Sequence, residues 1–154
     1  MIDRNARDRL ASNLRGLISG KISNDDFEAA EERSEDGAIA AVSDSAWLLY
    51  SDMKEHKLTA DRRLNPDVKR EVVRWILFLD SNFQYVWPSI STPAVDPLTR
   101  VKPFWRRLLE PGFLSRETAE RFLASGDYDA WPFGSRGEYK KALKGPRRLA
   151  RKAA

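Results

Sequence analysis

A chain of 154 residues that is 42% apolar and 32% charged has the composition of one ordinary globular domain, which excludes disorder throughout. It has no cysteine and a single histidine, so disulfides, thiolate catalysis, cysteine-ligated zinc or iron–sulfur centres and histidine-rich metal sites are all excluded. The formal charge of +4 is unevenly spread: seven basic and no acidic residues lie from Lys140 onward, leaving 20 basic against 23 acidic residues before it, a body of net −3.

In chain order, residues 4–19 predict a first helix with Ala6, Leu10, Leu14, Leu17 and Ile18 on one face, Arg4, Arg7, Asp8 and Arg15 toward water, and Gly20 as its stop. The N-terminal sequence MIDRNARDRL has no apolar run, and a cytoplasmic location is the expectation. Ser23 caps a second helix, with Asp26 completing a capping box and Ile22 and Phe27 placed as a hydrophobic staple. Seven acids and one base fall between Asp25 and Asp36, which suits either a solvated acidic helix or a docking face for a basic partner.

A third helix is predicted over residues 38–56, burying Ile39, Val42, Ala46, Leu49, Tyr50 and Met53, with Trp47 and Leu48 broadening the stripe. It places His56 four residues after Asp52 at the helix end. Leu58 and Leu64 pin the connector that follows. Asn65 and Pro66 are a cap and a first-turn proline for the central helix, about Asp67 to Asp80. Its apolar span, 68–79, carries Val68, Val72, Trp75, Ile76 and Leu79 at helical spacing and Val73, Leu77 and Phe78 beside them. A buried strand over Trp75 to Leu79 is the competing local reading.

Phe83, Tyr85 and Trp87 then alternate, as in a short extended segment or in a loop whose rings fold inward. Residues 89–99 are the longest stretch without a helical period. A helix over about 100–110, a Ser115-capped helix carrying Ala119, Phe122 and Leu123, an aromatic loop over 126–134 and a last helix over 137–144 complete the pattern. The expectation is an all-α, single-domain irregular bundle of about six to seven helices around the central helix 68–79, with long aromatic loops. Residues 1–144 form the domain and 145–154 a basic, flexible tail.

No phosphate-cradling glycine motif is present, and no cofactor or metal is expected; Asp127 and Asp129 alone make a very weak oxygen-ligand motif. An acid/base hydrolase would have to use Asp80 or Asp129, the acids beside aromatics, or His56 as a base. Nucleic acid or another polyanion would be met by Arg100, Lys102, Lys140, Lys141, Lys144, Arg147, Arg148, Arg151 and Lys152, with Arg106 and Arg107 in the 100–107 cluster.

The segments HKLTADRRL, RWILFLDSNFQYVWP and YDAWPFGSRGEYKKAL resemble small bacterial proteins of the kind encoded beside polymorphic toxins as their immunity partners. What the resemblance implies is a cytoplasmic, non-enzymatic protein that binds and occludes one toxin; the positive formal charge suits an acidic or mixed toxin surface. The residues themselves lead to the same class, a protein-binding domain. Tyr85, Trp87, Trp131 and Phe133, with Arg106 and Arg107, are its candidate contacts, because rings give large contact area at low rotamer cost.

Overall fold

The computed structural model describes residues 1–30, 33–101 and 114–145, and among these the fold is all-α, with six α-helices and no β-sheet. They are α1 (Arg4–Ile18), α2 (Asn24–Ala29), α3 (Gly37–Ala46), α4 (Pro66–Leu79), α5 (Arg116–Leu123) and α6 (Arg136–Lys144). Single 3-10 turns at Trp47–Leu49, Ala60–Arg62, Pro97–Arg100 and Tyr128–Ala130 punctuate the connections. The helix expected over 100–110 falls largely outside the described residues; Val101 and Leu114 on either side of that stretch pair in an isolated parallel bridge.

Short polar side chains start each of these six helices. Asp3, Ser23, Asp36, Asn65, Ser115 and Ser135 each accept a hydrogen bond from a backbone N–H of the first turn, and at Ser23 the Asp26 carboxylate returns the bond to complete a capping box. At the end of α1, Gly20 takes φ +70°, and a Cβ there would lie 2.3 Å from the Thr59 methyl group, so only glycine fits the turn.

The bundle is centred on α1 packed against α4. Helices α2 and α3 lie on α1, and α6 lies on α4. The facing surfaces are the helical stripes Leu10, Leu14 and Leu17 on α1, and Val72, Trp75, Ile76 and Leu79 on α4, all buried. Phe78 is also buried, so α4 needs cover on a second side, and the chain after it supplies this. Val68 and Val73, by contrast, are substantially exposed.

Arg7 does not face water as its position among charged neighbours predicts. It is fully buried, with Nε 2.6 Å and Nη2 3.0 Å from the two oxygens of Asp36 and its guanidinium 5.0 Å from the centre of the Phe78 ring. A third donor, Nη1, reaches the Phe83 carbonyl at 2.9 Å. Asp36 is itself the cap of α3, accepting from Ala38 N–H at 3.1 Å, and it also takes the Asp3 N–H at 3.1 Å just before α1 begins. One turn earlier, Arg4 donates to the carbonyls of Leu79 and Ser81 at the negative end of α4.

The third helix is shorter than its apolar pattern predicts. It stops at Ala46, tightens into the 47–49 turn, and leaves Met53 88% exposed. The cause is tertiary. Asn24, at the first position of α2, donates through its amide group to the Ser51 and Lys54 carbonyls and accepts the His56 N–H at 2.6 Å, so residues 51–56 form a turn bound to α2. His56 contacts the Lys54 carbonyl through Nδ1 at 2.8 Å, and its partner is not Asp52.

Burial pushes the Asp36 carboxyl up, but the hydrogen bonds from Arg7 and the Ala38 N–H outweigh it and leave its pKa below the ordinary carboxylate value. A depressed folded-state pKa means stability that is complete above the unfolded value, near about 4, and is lost as pH falls through the lower folded value. The urea midpoint of the protein should therefore drop as the pH is taken below about 4. Asp36→Asn should cost about 3–5 kcal/mol at pH 7, because it strands a buried guanidinium, and should flatten that acid limb. An unchanged acid limb in the variant would contradict the assignment.

Candidate functional site

The rings that the sequence offers as a contact surface are mostly interior. Trp87, Trp131 and Phe133 are 4%, 2% and 0% exposed, and Tyr85 is half-buried between them. Residues 81–88 alternate inward and outward as an extended segment would, with Phe83, Tyr85 and Trp87 in and Gln84 and Val86 out, but with no strand partner among the described residues. The inward rings close the open side of α4. Phe133 packs edge-on against Phe78 at 5.0 Å, Trp131 edge-on against Trp75 at 5.6 Å, and Trp87 tilts over Phe122 of α5 at 4.9 Å.

The indole N–H groups of Trp87 and Trp131 are both spent internally. Trp87 Nε1 donates to the Pro132 carbonyl at 3.1 Å and Trp131 Nε1 to the Tyr85 hydroxyl at 3.3 Å. Burial pushes the Tyr85 hydroxyl above its ordinary pKa and keeps it neutral. Gly126 permits the closure, since a Cβ there would sit 2.6 Å from the Gly134 carbonyl oxygen and 2.9 Å from the Trp87 ring. The Trp131–Pro132 peptide bond is cis. The expected aromatic contact surface is thus corrected: burying Trp87, Trp131 and Phe133, with Tyr85 half-buried beside them, is worth more to the core than leaving the rings at the surface.

The candidate acids do not form one site. Asp80 caps the end of α4 and pairs with Arg15; burial raises its pKa while Arg15 opposes the rise. The Asp129 carboxylate pairs with Arg136 and is 74% exposed in solvent, and His56 lies in the 51–56 turn. Among the described residues, no group of three or more histidine, aspartate or glutamate side chains is placed to hold a metal ion.

The basic candidates are also dispersed. Arg100 folds back to the Ser91 carbonyl and hydroxyl, the latter at 2.8 Å, whereas Lys140, Lys141 and Lys144 are exposed on α6. Lys102, Arg106, Arg107, Arg147, Arg148, Arg151 and Lys152 lie outside the described residues. No helix of the described residues is long and apolar enough to cross a membrane.

Two surface features remain. The first is an apolar face at the end of α3, where Trp47 and Leu48 are 43% and 54% exposed. The Trp47 ring is tilted 6.2 Å from Tyr50, which packs edge-on to Phe27 of α2 at 6.1 Å. Trp47, Tyr50, Phe27 and Glu28 share a shallow depression, so the apolar face runs into acidic α2, where Asp25 and Asp26 are exposed. Sequence reasoning assigned Trp47 and Leu48 to a buried stripe. The signal against that was polar Ser51 and Asp52 arriving one turn later, where a longer buried stripe needs apolar residues.

The second is a cleft of about 240 Å³ between α4 and the 128–131 turn, lined by Glu71, Arg74, Trp75, Ala94, Tyr128, Asp129 and Trp131. Arg74 fastens its two walls together, donating to the Trp131 and Asp129 carbonyls at 2.7 and 3.0 Å. The Tyr128 hydroxyl donates to the Pro93 carbonyl at 3.0 Å, and burial, followed by the charges of Asp96 and Glu71, pushes its pKa up.

Compared with protein-family models, curated proteins and solved structures, the chain matches none.

Because the Trp131 indole finds its acceptor in Tyr85, Tyr85→Phe should lower the unfolding free energy by about 1–3 kcal/mol, the cost of a buried donor left without a partner. Urea denaturation measures this directly; a loss below about 0.5 kcal/mol would return Tyr85 to the set of residues available for contact.

Proposed function

We propose that this is a non-enzymatic protein-binding domain that docks one partner on the face formed by Trp47, Leu48 and Met53 beside acidic α2. The observation that carries the reading is that an indole and two long apolar side chains of one short segment, Trp47, Leu48 and Met53, are held in solvent, and that Trp47 shares a depression with Glu28 of acidic α2. Lone exposed apolar residues are ordinary, but three on one short segment, with Glu28 beside Trp47, fit an apolar anchor with a charged margin.

The partner surface that complements this face is basic with an apolar centre. The positive formal charge suggested an acidic or mixed surface, but it belongs chiefly to the C-terminal segment, and the charge beside the face is the nearer guide. In the terms of the resemblance to immunity proteins, the partner is a cognate toxin and the location cytoplasmic. A second reading, polyanion binding, has the exposed lysines of α6 in its favour.

The test uses the full chain to capture its partner from native cells and then titrates the recovered partner against wild type and a Trp47→Asp, Leu48→Asp double variant of unchanged circular dichroism. The dissociation constant should rise at least about 30-fold in the variant, the effect of losing an anchor worth about 2 kcal/mol. Equal affinity would remove this face from recognition. Binding of nucleic acid that weakens steeply with salt and is lost on neutralising Lys140, Lys141 and Lys144 would favour the second reading instead.

A further inference from the structure

The depression beside Trp47 holds an unanswered carboxylate. Phe27, Trp47 and Tyr50 supply three aromatic rings to its lining, Asn13 and Ser43 two neutral polar groups, and Glu28 the single charge. The Trp47 and Tyr50 rings meet at 37°, and Phe27 stands edge-on to Tyr50. Glu28 lies in the last turn of α2, which carries no basic residue, so the negative end of that helix adds to its own charge. One of its oxygens, Oε1, is closed off from solvent without a hydrogen-bond partner. The other, Oε2, is not closed off, and it accepts no hydrogen bond from the described residues either. A half-buried carboxylate with no donor and no ion pair is out of the ordinary, because charge removed from water is costly unless something meets it.

We propose that this depression seats a primary ammonium group, the head of a lysine side chain that the docked partner presents. The accessible Oε2 of Glu28 is its counter-ion, and Asn13 and Ser43 offer acceptors to its remaining N–H donors. The Trp47 and Tyr50 rings meet the charge and the methylene stem behind it. Size narrows the choice of cation. The space, about 10 Å³, admits one water-sized group, which suits an ammonium. A guanidinium is a broader, planar fork and does not seat in it. An anion is repelled by Glu28, and an apolar group leaves the carboxylate unanswered. This inference rests on the face at Trp47 being the recognition surface, and it adds which residue of a basic partner is read there.

The test uses n-butylammonium, a lysine head and stem, as the probe. It is added at constant ionic strength to the ¹⁵N-labelled full chain while the Trp47 indole N–H resonance, assigned with Trp47→Leu, is followed; the other indoles are internal controls. The resonance should move and saturate with a dissociation constant of about 1–30 mM, the range open to so few atoms. The uncharged n-butanol and the larger n-butylguanidinium should each bind at least about fivefold more weakly. Glu28→Gln, which keeps the shape of the side chain, should weaken n-butylammonium to the level of n-butanol, and Trp47→Leu should weaken it as well. No saturating movement at about 100 mM, n-butanol bound as tightly as n-butylammonium, or full affinity in Glu28→Gln would overturn the ammonium site. Against the partner recovered from native cells, Glu28→Gln should raise the dissociation constant at least about tenfold. Loss of the partner in the Trp47→Asp, Leu48→Asp variant but not in Glu28→Gln would overturn the lysine contact and leave the docking face standing. A partner indifferent to both variants, with n-butylammonium still held through Glu28, would overturn the docking face and leave the ammonium site standing.

Discussion

The buried ion pair between Arg7 and Asp36 is the constraint on which the arrangement of the helices depends. A guanidinium removed from water costs several kcal/mol and persists only where its donors and charge are met on every side. Here the carboxylate of Asp36 takes two donors, the Phe83 carbonyl takes another, and the Phe78 ring lies against the cation. Those partners come from three different parts of the chain: the cap of α3, the loop after α4, and α4 itself. The pair therefore fixes where α3 begins, how α1 lies on α4, and in which direction the chain leaves α4.

That last consequence reaches the aromatic loops. With Phe83 held on Arg7, the next residues run across the open side of α4, and Tyr85 and Trp87 turn inward to meet the 126–134 loop. Arg74 then ties the 128–131 turn to α4 from the other edge. The aromatic residues are consumed in closing the core, and the same closure shapes the cleft beside Trp75. The docking face proposed at Trp47 lies elsewhere, at the end of α3 beside α2.

What the sequence made legible was whatever local chemistry decides. Asn65 and Pro66 announced α4, Ser23 and Asp26 announced α2, and Gly20 announced the end of α1, because a cap or a left-handed turn is settled within a few residues. The helical period of Val72, Trp75, Ile76 and Leu79 marked the buried face of α4 for the same reason. Arg7 was misread because nothing within one turn of it reveals a carboxylate 29 residues away. The end of α3 was misread because Asn24 of α2, not any local breaker, holds residues 51–56 out of the helix. The alternation of Phe83, Tyr85 and Trp87 was visible, but whether the rings pointed to solvent or to core depended on Gly126 and Gly134 allowing a second loop to approach. The cleft could not be read without these tertiary facts, and the exposure of Trp47 was signalled only by the polar Ser51 and Asp52 that follow it.

A double-mutant cycle between Arg7 and Asp36, using Arg7→Met and Asp36→Asn with urea unfolding at pH 7, tests the central claim most directly. If the pair organises the bundle, the double variant will be much less unstable than the two single variants together imply, with a coupling of about 2 kcal/mol or more. Additivity of the two losses to within about 0.5 kcal/mol would mean that Arg7 and Asp36 act independently, and that the bundle is held by its apolar stripes without them.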